Sequence, residues 1–272
     1  MTGRELPPAS PFASDDGSAD PRLTAVLAAY AAETGSVGEP VVLADVVAAL
    51  APTRVLVPVL AALDASAVHE GDAHGGGLAV DTEASAGIVA LRTRDGRTAL
   101  PVFSSVAAMA AWHQDARPVP TDVPRAARSA LGEGWEVVVL DPGGPVTVVI
   151  PRPAVVALAL GERWLPAVRA GAVEADVRAA VAAALADVAH VVGVDVVPGR
   201  RAEVAVVLAL TPGLDRGRLD AVLARVNAAL AANETVAARI DSLELRPVSA
   251  GGGAGPARAP ATPRYPPPGR RG

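Results

Sequence analysis

The stretch His69-Glu70-Gly71-Asp72-Ala73-His74 sets imidazole and carboxylate groups close together. Such groups bind divalent metals, but sequence-legible zinc sites rest on ligands one helical turn apart or on paired knuckles. This spacing matches neither, and a Gly-rich stretch does not preorganise its ligands. No metal site is assigned. Ser104-Ser105, with His113 and Asp115 following, contains the residue types of a hydrolytic triad. No G-x-S-x-G surrounds the serines. Helix capping accounts for a serine at this point, and a triad requires a spatial geometry that nearness in sequence does not supply. No catalytic residue is assigned. Gly251-Gly252-Gly253-Ala254-Gly255 has the composition of a phosphate loop, yet it neither follows a strand at the right distance nor opens an apolar helix. It reads as a linker, and no cofactor-binding residue is assigned. Gly199-Arg200-Arg201 could meet an anion, but a solvated hairpin turn explains it more simply.

Missing residue types exclude more chemistry than the present ones suggest. The chain has no cysteine, so disulfides, thiolate nucleophiles and cysteine-ligated metals are ruled out. All 24 basic residues are arginine. Without lysine there is no Walker lysine, no Schiff base and no lysine general base. An enzyme would have to work with carboxylates, His, Ser and Arg alone, and no motif for one is present. The expectation is a protein that is not an enzyme and takes no cofactor.

The net charge is −5, with an Arg-bearing, acid-free tail from Gly251 onward and a mildly acidic body before it. That balance argues against broad binding to a phosphate backbone. No charge-free apolar run reaches the ~20 residues of a spanning helix, and the N-terminus lacks a basic start followed by an apolar stretch. A cytoplasmic protein is expected, with neither membrane nor nucleic acid as partner.

These side chains need a scaffold, and the 272 residues suffice for one large domain or two small ones. Hydrophobic residues make up 51%, so a core is available, but aromatics are only 3% and Ala, Val and Leu must build it. Each small side chain buries little area at about 25 cal/mol per Å², so stability must come from many close contacts.

Residues 1–19, rich in Pro, Ser, Asp and Gly, read as disordered. Asp20-Pro21 starts a helix with Leu23, Val26, Leu27 and Tyr30 on one face. A second helix covers Val41 to Leu50, with Val42, Leu43, Val46, Val47 and Leu50 inward, and Pro52 stops it. Arg54 to Leu60 reads as a strand whose internal Pro58 makes it an edge or a break. Asp64 to Gly87 reads as a polar loop. A hairpin over 88–103 turns at Asp95-Gly96, and Ser104 or Ser105 opens a helix closing on Trp112. Phe103 and Trp112 are its bulky anchors. After an extended Asp115–Pro120, Thr121 or Asp122 caps a helix to about Glu133. Trp135–Leu140 and Val146–Ile150 form a second hairpin around Asp141-Pro142-Gly143-Gly144-Pro145, and a helix from about Ala154 to Leu160 follows. The first domain, 20–162, is thus a mixed sheet of about five strands with packed helices.

A junction is expected at Gly161-Glu162-Arg163. In the second domain, 163–249, Leu165–Val168 reads as a short strand, and Val173, Val177, Val181, Leu185 and Val188 stripe a helix. His190–Val197 and Ala202–Leu210 are strands. Leu219, Val222, Leu223, Val226 and Leu230 stripe another helix, and Ala238–Arg246 is a last strand. The order β-α-β-β-α-β is ferredoxin-like. The whole is α/β in the broad, α+β sense. RNA recognition on such a sheet needs aromatics on its central strands, and residues 190–210 contain none. A ligand-sensing domain of the same order needs a Gly-lined pocket near its first strand, where Ala170-Gly171 is the only hint. Residues 250–272, biased toward Gly, Pro, Ala and Arg, read as a disordered tail.

Arg54-Val-Leu-Val-Pro-Val59, Ile88-Val-Ala-Leu-Arg92, Asp95-Gly96, and Ala99-Leu-Pro-Val-Phe-Ser-Ser105 running to Ala111-Trp112 form a recognisable set. Asp141-Pro142 and Val146 to Ile150 continue it. Over about residues 20–162 the chain resembles the SseB family, in its actinobacterial type, through the N-terminal domain that gives the family its name. The resemblance implies a link to the serine-sensitivity phenotype in that name and a two-domain layout. It carries over no catalytic residue. The expected function is therefore a non-enzymatic binding or regulatory one, toward an unknown protein partner, with a homodimer also open to Val- and Ala-rich surfaces. The alternative is a small-molecule sensor that binds an amino acid such as serine in the second domain or between domains.

Overall fold

The structure, a computed structural model, describes residues 11–32, 42–60, 79–81, 89–93 and 95–250. The chain divides into two compact units between Pro166 and Ala167. That division lies a few residues beyond the expected junction at Gly161–Arg163, because Trp164 packs into the core of the first unit.

In the first unit the elements run α1 Pro21–Ala32, α2 Leu43–Leu50, β1 Arg54–Val59, β2 Ala79–Asp81, β3 Ala90–Arg92, β4 Thr98–Val102, α3 Val106–Trp112, β5 Arg117–Asp122, α4 Val123–Gly132, β6 Val137–Leu140, β7 Val148–Ile150 and α5 Arg152–Leu160. Local chemistry sets most of these boundaries. The Asp20 carboxylate accepts from the N–H groups of Arg22 (2.8 Å) and Leu23 (2.9 Å), capping α1. Asp122 caps α4 by accepting from Arg125 N–H at 2.8 Å. In α2 the inward residues are Val46, Val47 and Leu50, while Val42 precedes the helix and is exposed.

The main sheet has the order β2-β3-β4-β6-β7. Both expected hairpins are present, β3 with β4 and β6 with β7. Two features differ from expectation. Strand β2 arises within the stretch 64–87 assigned to loop, where Val80 pairs with Leu91. Strand β1 is not a member of this sheet: it pairs with β5, Pro58 opposite Pro118, and meets the main sheet at a single bridge between Leu56 and Phe103. Proline lacks the donor a central strand needs, so the chain places two prolines in a two-stranded ribbon. One face of the main sheet, with Leu100, Val102, Val138 and Leu140, packs on side chains of α1, α2, α4 and α5. The other face carries Leu91, Ala99, Val137 and Val139, with Trp112 against them.

Residues 11–19 were expected to be disordered. They are instead placed: Asp15 pairs with Arg54 of β1, and Gly17 C=O accepts from Val106 N–H at the start of α3 (2.9 Å). Gly17 has φ +78°, and a Cβ there would stand 2.6 Å from Val106 Cγ2. Only glycine has both the conformation and the clearance.

The second unit comprises β8 Val168–Arg169, β9 Ala172–Val173, α6 Ala175–Leu185, β10 Val191–Pro198, β11 Val204–Leu210, α7 Arg216–Ala232, α8 Glu234–Arg239 and β12 Leu243–Ser249. The class is α+β, as expected. Its sheet is β10-β11-β12, antiparallel then parallel. Helix, hairpin, helix and last strand follow the expected order. The expected first strand at Leu165–Val168 is shifted to β8, which pairs with β9 in a ribbon outside that sheet. Val177, Val181 and Leu185 of α6 and Val222, Val226 and Leu230 of α7 cover one face, against Val204, Val206, Leu208 and Leu210 of β11.

Candidate functional site

Polar groups are scarce inside the first unit, so their placement is informative. Strands β4 and β6 run parallel, with Val102 opposite Leu140. That register brings the residues just past their carboxyl ends together, the place where open α/β sheets bind ligands. Ser104 follows β4, Asp141 follows β6, and both are buried. The Asp141 carboxylate accepts from Ser104 N–H at 2.8 Å and from Ser104 Oγ at 2.7 Å. Every other polar atom of Asp141 is also engaged. Its N–H donates to Val102 C=O (2.9 Å), and its C=O accepts from Gly144 N–H (3.1 Å) and Thr147 Oγ1 (2.9 Å). Asp141 holds φ +48°, a conformation that Asp and Asn tolerate better than other non-glycine residues.

Burial pushes the Asp141 carboxyl above its ordinary range, and the two bonds from Ser104 pull it partway back. On the far side of Ser104, its C=O accepts from the Arg54 guanidinium at 2.6 Å. Arg54 also donates to both Asp15 oxygens and to Ser18 C=O. The Arg54 bond holds Asp15 below the usual carboxylate range. The result is a closed chain, Asp15–Arg54–Ser104–Asp141–Thr147, that ties the N-terminal segment, β1 and the ends of β4 and β6 to one another.

This arrangement supplies no activated nucleophile. A serine is activated by a base that takes its proton and is itself oriented by a third group. Here Ser104 donates to a carboxylate kept high in pKa by burial. Ser105 is the residue that caps α3, accepting from Ala108 N–H at 3.1 Å. His113 lies beyond the other end of that helix, its ring 5.9 Å from Trp112, and its Nδ1 is buried with no partner among the described residues. Of the two serines, Ser105 is thus the cap and Ser104 the partner of Asp141. Phe103 and Trp112 are 5.3 Å apart and pack together as anchors. A cavity of about 10 Å³ in the same unit is lined by apolar residues alone, including Leu50, Val102, Val138 and Leu158. It marks where small side chains leave a core incompletely filled.

In the second unit, Glu203 plays a comparable part. Its carboxylate accepts from Ala167 N–H (3.3 Å) and Asp241 N–H (2.9 Å), and burial raises its pKa against those bonds. The turn Gly199-Arg200-Arg201 joins β10 to β11. Arg200 N–H already donates to the Glu244 carboxylate at 2.8 Å. Ala170 and Gly171, both with positive φ, are the two-residue turn between β8 and β9, as a tight hairpin requires.

His69, Glu70, Asp72 and His74 lie outside the described residues, as do Gly251 to Gly255 and the Arg-bearing tail. Among the described residues no group of three His, Asp or Glu could hold a metal ion, and no helix is long and apolar enough to cross a membrane. Sequence reading missed Asp141 as the partner of Ser104 and Arg54 as the partner of Asp15. The available signals were an Asp directly after an apolar strand and an Arg opening one.

Residues 23–157 match the family model described as SseB protein N-terminal domain. No curated protein and no solved structure matches the chain.

Proposed function

From a chain that belongs to the SseB family through its N-terminal domain, we propose a non-enzymatic protein that acts by binding and regulating a protein partner in the cytoplasm. The observation that supports this most is the mutual satisfaction of the polar groups at the carboxyl ends of β4 and β6. Ser104, Asp141 and Arg54 spend their hydrogen-bonding capacity on one another and on the backbone, leaving none of them directed at a reacting atom. A cavity in the core of the same unit is apolar and about the size of one water. In this reading, serine sensitivity reaches the protein through its partner and not through turnover of serine.

A thermal-shift panel with the twenty amino acids on the full chain tests the reading against an amino-acid sensor. A ligand at 100 times its Kd stabilises by about 2.7 kcal/mol. The expected result is a flat panel. A rise in midpoint specific to serine or another amino acid would replace the proposal with a sensor.

A further inference from the structure

The sheet of the second unit has an outward face that does not look like a solvated one. An antiparallel sheet with one face on a core normally turns polar residues to the other. Strand β11 turns Ala205, Val207 and Ala209 to that face, and all three are apolar; Ala205 is already buried within the chain, and Val207 and Ala209 are half-buried. Around this stripe the face has charge on its flanks in a definite order. Across one row stand Asp195 of β10, Val207 of β11 and Arg246 of β12. The next row on one side is Val197, Ala205 and Glu244, and on the other Gly193, Ala209 and Val248. At the bulge beside Gly193, Val192 is 61% exposed, and Val248 at the opposite flank is 48% exposed.

We propose that this face pairs two copies of the chain, sheet on sheet, about a two-fold axis running along β11. The row order is what selects this occupant. Such an axis lays β10 of one copy over β12 of the other. Asp195 then faces Arg246 of the second copy, and Arg246 faces its Asp195, with Val207 on Val207 between the two pairs. A surface that carries both charges at equal distance from an apolar centre complements itself, as a two-fold interface must. The neighbouring rows agree. Val248 meets the space above Gly193, which has no side chain. Glu244 already engages Arg200 N–H and Arg246, so it brings no unpaired charge over Val197. Sheets packed this way stand about 10 Å apart with strands about 30° from parallel. The pairing does not depend on the regulatory proposal, because it needs no other protein.

Sedimentation velocity on the full chain across a concentration series tests it. The wild-type chain should pass from monomer to dimer. Asp195→Arg sets two cations against each other across the axis, and Arg246→Asp sets two anions. Each should raise the dissociation constant at least about tenfold. The double variant restores opposite charges and should return it toward the wild-type value. Should Arg246→Asp disturb the fold through loss of its Glu244 pair, the exposed Asp195→Arg and a Val207→Glu variant at the axis decide the matter alone. A wild-type chain that stays monomeric, or a dimer indifferent to these substitutions, would overturn the proposal and leave the face to the chain's own tail or another partner.

Discussion

Asp141 is where this chain accepts a cost to obtain a connection. A buried carboxyl resists ionisation, yet this one accepts two bonds from Ser104 and closes the ends of two parallel strands. Asp141→Asn keeps an oxygen for the Ser104 N–H, offers an amide to its Oγ, and tolerates the positive φ. Asp141→Ala leaves two buried donors unpaired at about 1–3 kcal/mol each, so a loss of about 2–6 kcal/mol is expected in urea unfolding, against little loss for Asn. The pH dependence has a definite sign. The folded-state pKa lies above the unfolded value, so the folded chain binds the proton more tightly. Stability attributable to Asp141 is full below the ordinary carboxylate pKa, falls as pH rises through the folded value, and is flat above it. The wild-type chain should therefore lose ground to Asp141→Asn across that window. The opposite trend, with the wild type gaining as pH rises, would mean that the Ser104 bonds outweigh burial. Asp15 has the reverse sign. Its depressed pKa gives stability that is present above the ordinary value and is lost as pH falls through the folded one.

At the level of elements, short-range chemistry was legible and long-range pairing was not. Asp20 and Asp122 announce their helices, and Asp95-Gly96 and Pro198-Gly199 announce their turns, because each mechanism is complete within a few residues. The docking of residues 11–19 was invisible, since Pro, Ser, Asp and Gly read as disorder until a distant Arg54 requires a carboxylate. Strand β2 emerges from a Gly-rich stretch because its partner β3 supplies the hydrogen bonds that composition did not foretell. Ser104 and Asp141 meet only because β4 and β6 are parallel neighbours, which two separate hairpins do not reveal. The β10–β11 turn offers a direct check at this scale. A Cβ on Gly199 would lie 2.0 Å from Ala202 C=O, a backbone atom that cannot swing aside. Gly199→Ala should cost about 2 kcal/mol or more, as disruptive substitutions do, read as a lower thermal midpoint. A substitution tolerated within ~0.5 kcal/mol would show that the turn relaxes freely.

For the molecule as a whole, each unit is a sheet backed by helices and built from Val, Ala and Leu. The core of small side chains leaves an unfilled gap of about 10 Å³ in the first unit. Neither Lys nor Cys is present to do covalent chemistry, and Ser104, Asp141 and Arg54 are tied to one another and to the backbone. The proposed function is that this chain works by contact. The most direct measurement is affinity capture from native lysate with quantitative mass spectrometry, using the full wild-type chain and the Asp141→Asn chain as parallel baits. One protein partner should be enriched to comparable extent by both, since the latch at Asp141 supports the fold and does not meet the partner. Neither bait enriching any protein over an unfolded control would contradict it, as would a partner lost on Asp141→Asn while the fold and its stability remain intact.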